Sequence, residues 1–96
     1  MSYKNLTMAA EEVLMELSLF INKNGSNPQL DSIRNQMLFI KKHSEKNINP
    51  VKMLDLDREF TYGIISSREF SSGEEMRIKE KLNDVSDQLR TVWEEG

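Results

Sequence analysis

Ser71-Ser72-Gly73-Glu74-Glu75 opens the stretch that decides the fold, and Ile78, Leu82, Val85, Leu89 and Val92 carry it forward. The five apolar residues alternate spacings of four and three, which places them on one face of a helix. Both serines have a glutamate three residues on, the spacing at which side chain and backbone cap each other at a helix start. The segment therefore predicts a long helix whose apolar stripe is the core of a bundle. Trp93 stands beside that stripe and is expected to seal one end of the bundle; anchoring an interface is the alternative.

Earlier segments repeat the pattern. Leu6, Ala10, Val13, Leu17 and Phe20 mark a first helix from about Leu6 to Asn22, and Asn24-Gly25 ends it with a residue that tolerates left-handed backbone. Asn27-Pro28 opens a second, because asparagine caps free N–H groups and proline suits the first helical position. Its stripe is Leu30, Ile33, Met37 and Ile40, and Lys41, Lys42 and His43 set cations at its negative end. Asn49-Pro50 repeats the start signal. A turn through Met53 leads into an expected third helix from Asp55 to Phe70.

No segment alternates apolar and polar residues in the manner of a strand. Short loops join neighbouring helices antiparallel. The predicted fold is all-α, a compact antiparallel bundle of four helices, or five, in a single domain over residues 1–96. A chain of this length buries roughly 60 to 65% of its unfolded surface, enough for one modest core.

Composition narrows the function. Hydrophobic residues make up 38% and the net charge is −3, so the chain is neither disordered by composition nor basic enough to grip nucleic-acid phosphates. There is no cysteine, which removes disulfides, thiol nucleophiles and thiolate–zinc sites. Glu11, Glu12 and Glu16 interrupt the N-terminal apolar stretch, so neither a signal peptide nor a membrane span is expected, and the cytoplasm is the expected compartment.

His43 is the only histidine and has no companion nucleophile or orienting carboxylate by motif, so it reads as a helix-end residue interacting with free carbonyls. The glycines are isolated and form no phosphate cradle. Arg34 and Lys41 lie seven residues apart with Leu38 between them, a poor dianion site. Neither catalysis nor a cofactor nor a metal is expected. The six methionines read as adaptable core filler.

The third segment differs from the others. On a continuous helix Asp55, Glu59, Tyr62, Ser66 and Glu69 line one stripe, an acidic face carrying a tyrosine. Leu56, Phe60, Gly63, Ser67 and Phe70 lie about 100° further round and form the expected buried face. Gly63 costs a helix about 1 kcal/mol relative to alanine, so a close approach by another group is expected there. Two readings stand side by side: a solvated face over tight packing, or an interface.

Two stretches resemble a known family. Gln36-Met37-Leu38-Phe39-Ile40 is similar to a Gln-Leu-x-aromatic-Ile motif, and Leu54 through Gly63, Ser66 and Arg68-Glu69-Phe70 resembles a glycine helix ending in Arg-Glu-Phe. Both belong to small helical immunity proteins paired with NAD(P)-degrading toxins of type VI secretion systems. The resemblance covers about Ile33 to Leu89. It implies a one-to-one inhibitor that binds a cognate toxin domain and blocks its active site in the cytoplasm. Asp55, Glu59, Tyr62, Ser66 and Glu69 are then the contact, with Asp57 and Arg68 at its edges. Carboxylates suit a toxin site built for a phosphate-bearing dinucleotide. An immunity protein against another toxin class, such as a nuclease, and a helical adaptor are the alternatives. Self-association is not predicted.

Overall fold

Capping side chains mark the starts of the second and fourth helices. A computed structural model of the protein describes residues 3–53 and 60–95, the side chains at 52–53 and 92–95 excepted. It contains α1 (Lys4–Asn24), α2 (Pro28–Glu45), a short 3₁₀ turn (Pro50–Met53), α3 (Tyr62–Glu69) and α4 (Gly73–Glu95). Among the described residues there is no strand. The fold is an all-α bundle.

Gly25 closes α1 at φ 85°, and its N–H donates to Ile21 O at 2.7 Å. Asn27 Oδ1 accepts from Leu30 N at 2.8 Å, with Pro28 in the first turn of α2. Ser72 Oγ accepts from Glu75 N at 3.2 Å, while Glu75 Oε1 accepts from Ser72 N at 3.0 Å and Ser71 N at 3.3 Å. The reciprocal cap expected at the start of α4 is therefore present. The backbone N–H of Ser72 is the main reason the Glu75 carboxyl is held below the ordinary glutamate range.

Asn49-Pro50 starts a 3₁₀ turn, where Asn49 Oδ1 accepts from Val51 N at 3.0 Å. Before it, Asn47 takes left-handed backbone at φ 57°, and Ile48 N–H returns to His43 O at 2.9 Å to finish α2. Asparagine is among the few residues that adopt this conformation readily.

α1 packs extensively on both α2 and α4, and α3 bridges α2 and α4 on the opposite side of the core. Thr7 meets Ser44 at one end of the α1–α2 pair, and the two helices turn into each other at Gly25–Asn27 at the other. Lys23 meets Glu74 while Glu12 meets Lys81, so α1 and α4 also run antiparallel. The Cα radius of gyration is 12.9 Å, matching the ~13 Å of a compact chain of about 100 residues.

The core gathers Leu6, Ala10, Val13 and Leu17 of α1, Leu30, Ile33, Met37 and Ile40 of α2, and Ile78, Leu82, Val85 and Leu89 of α4. These are the stripes read from the sequence. Phe20 is only partly buried against this cluster, and the side chains of Val92 and Trp93 lie outside the described residues. One polar pair sits inside. Thr7 Oγ1 and Ser44 Oγ are 2.6 Å apart between α1 and α2, with the Tyr3 and Lys41 carbonyls each 3.2 Å away. Each hydroxyl has one proton, so one donates across the pair and the other to a carbonyl, and neither oxygen is left unsatisfied.

The third segment departs from expectation. Phe60 and Thr61 are not helical, so α3 starts at Tyr62 rather than continuing an unbroken helix from Asp55. The inner face of α3 is Tyr62, Ser66 and, just beyond it, Phe70, at four-residue steps. Gly63 and Ser67, expected inside, are exposed. A Cβ on Gly63 would meet nothing within 4 Å, so no close approach explains this glycine.

Candidate protein-binding surface

Of the seven residues expected at the partner contact, the four that are described do not share one exposed face. Asp55, Asp57 and Glu59 lie outside the described residues. Tyr62 is 4% and Ser66 2% exposed, so these two belong to the core side of α3 and not to an accessible stripe. Arg68 and Glu69 are exposed, and Ile64 joins them at 55%. The difference has a physical cause. A helix unbroken from Asp55 to Phe70 would carry one register across Phe60 and Thr61, where the backbone is not helical.

The residue that sets the break is on another helix. Gln36 of α2 reaches the start of α3, where its Oε1 accepts from Thr61 N at 2.8 Å and Tyr62 N at 2.9 Å. Its Nε2 donates to Thr61 Oγ1 at 3.0 Å and to Ser32 Oγ at 3.2 Å. A helix leaves its first N–H groups without internal partners, and the Thr61 side chain makes no cap bond of its own to α3. Gln36 supplies the acceptor from outside. In sequence Gln36 shows as a long amide beside the Ile33–Met37–Ile40 stripe and as the first residue of the Gln36–Ile40 motif, and neither signal points to Thr61.

Tyr62 is fixed at both ends. Its hydroxyl lies 2.9 Å from Ser86 Oγ on α4, and its ring is 6.3 Å from that of Phe60, which in turn meets Phe39 at 6.1 Å. Burial pushes the phenol above its ordinary pKa; the Ser86 hydrogen bond opposes this, and the nearby Asp87 charge adds to it. His43 packs on Phe39 with ring centroids 4.4 Å apart and planes tilted by 45°, and its Nδ1 lies 2.9 Å from Phe39 O. A carbonyl only accepts, so Nδ1–H is the donor. His43 lies near the end of α2 as expected, but the carbonyl it engages, Phe39 O, is inside the helix and not among the free ones at its end.

A second surface lies on α1. Met8, Met15 and Leu19 are 51%, 59% and 61% exposed and fall on the side of the helix opposite Leu6, Val13 and Leu17. The expectation that methionines fill the core holds for Met37, but Met8, Met15 and Met76 are exposed. Every ionisable side chain from Met8 to Leu19 is a carboxylate, namely Glu11, Glu12 and Glu16. Glu12 pairs with Lys81 of α4 at 3.3 Å. Spacings of seven and four announce this outer stripe in the sequence, but the stronger stripe behind it claims the helix.

Among the described residues no group of histidine, aspartate or glutamate side chains is arranged to hold a metal ion, and no helix is long and apolar enough to cross a membrane. Comparison with known proteins finds no matching family model, no similar curated protein and no similar solved structure.

Proposed function

We propose that this chain is an immunity protein, a non-enzymatic inhibitor that binds a cognate toxin domain one-to-one in the cytoplasm and blocks its NAD(P)-degrading active site. The reading rests on the resemblance of Gln36–Ile40 and of the segment ending in Arg68-Glu69-Phe70 to proteins of that kind.

One observation carries it. Gln36 of the first stretch lies 25 residues before Thr61 of the second, and its side chain joins the two into a single unit through Thr61 and Tyr62. Ile64, Arg68 and Glu69 stand on the outside of that unit, an apolar side chain beside charged ones. Such a mixture suits a protein interface, where an apolar centre supplies affinity and rim charges supply orientation and encounter rate. The chain as a whole is acidic, at −3, which is complementary to a site that binds phosphates.

Co-expression tests the proposal. The toxin domain encoded beside this chain should kill or arrest cells alone and spare them when the chain is present. Ile64→Asp combined with Glu69→Lys should reduce that protection while leaving the helical spectrum unchanged. A toxin equally harmful with and without the chain rejects the reading. Protection against a nuclease, with no NAD(P)-degrading partner, replaces it with the alternative toxin class.

A further inference from the structure

We propose that the outward face of α1 is a docking surface for a basic amphipathic helix of a partner protein. The inference draws on the protein-binding reading only in taking a polypeptide as the occupant. It concerns a different helix from the one in which that reading is anchored.

A helix of a small bundle ordinarily shows water a polar face. α1 instead places Met8, Met15 and Leu19 more than half exposed at the pole opposite its core stripe. Steps of seven and four residues keep the three within one narrow line, the spacing at which a second helix lays down its own apolar stripe. Methionine suits such a surface because its unbranched, polarisable side chain adapts to the group laid against it.

Charge selects the occupant. Glu11, Glu12 and Glu16 flank the line, and no lysine or arginine interrupts them between Met8 and Leu19. Towards α4, Met8 opens onto a groove whose walls also carry Glu12, Asp84 and Asp87. Cations stand at the two ends of the line, Lys4 beside Met8 and Lys23 and Arg77 beside Leu19, while on the α4 side Lys81 reaches Glu12 and Lys23 is held by Glu74. An approaching helix with lysine or arginine beside its apolar stripe meets opposite charge along the middle of the contact.

A second copy of the chain fits poorly. An antiparallel pair with Met8 opposite Leu19 sets Glu11 opposite Glu16, and a parallel pair sets each glutamate beside its own copy. Both bring carboxylates together at the centre of the contact. Three side chains are also far short of the ~800 Å² per partner that a standard interface buries, so a self-pair would have to cover those carboxylates as well.

The test uses a synthetic helical peptide with leucine at each heptad a and d position and lysine beside them, added to the full chain labelled for nuclear magnetic resonance. A matched peptide with glutamate in place of lysine is the control. The lysine peptide should shift the amides from Met8 to Leu19. Met15→Ser with Leu19→Ser should weaken it about tenfold or more, and the glutamate peptide should bind about tenfold or more weakly than the lysine peptide. Equal binding of both peptides, shifts confined to other helices, or concentration-dependent dimerisation of the chain alone through these residues would overturn the inference. Toxin neutralisation is read separately. Its failure with peptide binding intact overturns the immunity reading alone, and its success with peptide binding absent overturns this inference alone.

Discussion

Gln36 caps the helix that begins at Tyr62, its Oε1 accepting the Tyr62 N–H at 2.9 Å from a different helix. Two elements that are separate in sequence are thereby fixed to each other. The same oxygen takes the N–H of Thr61, so a single side chain satisfies two backbone donors that α3 itself leaves unpaired.

Gln36→Ala should therefore destabilise the fold by about 0.5 to 2 kcal/mol, the usual cost of a lost helix cap. Hydrogen exchange at the Thr61 and Tyr62 amides should speed up more than at Leu82 or Val85. Gln36→Glu should cost less, because it keeps the acceptor and places a negative charge at a helix N-terminus. Equal loss from both variants would mean that Gln36 acts through packing instead.

Gly63→Ala should stabilise the protein by about 0.4 to 1 kcal/mol, since alanine narrows the unfolded ensemble and the new methyl enters open space. Urea denaturation measures it. A destabilised variant would show that another group does approach this position.

Tyr62 should make the fold sensitive to alkali. Its folded pKa is raised, so its contribution is fully present below about pH 10, the ordinary tyrosine value, and is lost as pH rises through the folded value. Ultraviolet titration of the wild type minus that of Tyr62→Phe isolates this ring. Its ionisation should fall above pH 10 and accompany loss of helix. Ionisation at or below pH 10 in the intact fold would contradict the burial assigned to it.

Glu75 has the opposite sign. Its folded pKa is lowered, so its contribution is present above about pH 4.3 and is lost as pH falls through the folded value. Ser72→Ala should cost about 0.5 to 2 kcal/mol near neutral pH by removing the other half of the cap. In Glu75→Gln the acid-induced loss of stability should be shallower than in the wild type. Identical acid profiles would show that the carboxylate is merely solvated.

The legible and illegible parts of this fold separate along a physical line. The apolar stripes of α1, α2 and α4 are local and periodic, and the caps at Asn27 and Ser72 lie within a few residues of what they cap. Both kinds of signal survive in a one-dimensional reading. The start of α3 is set by Gln36, 25 residues away, and nothing local announces it. Without that break the Asp55–Glu69 spacing predicts a register that turns Tyr62 and Ser66 outward, whereas the Ser86 hydrogen bond holds Tyr62 inward and both residues are buried. The outer stripe of α1 is periodic too, but hydrophobicity alone does not say which of two stripes on one helix is buried.

The most direct test of the proposed immunity role is a titration of this chain into the purified domain proposed as its toxin partner, with NAD(P) hydrolysis as the readout. An immunity protein should abolish hydrolysis with a sharp end point at one chain per toxin, and added substrate should not restore the rate at once, because the chain leaves slowly. Hydrolysis that continues unchanged at excess chain would contradict the account.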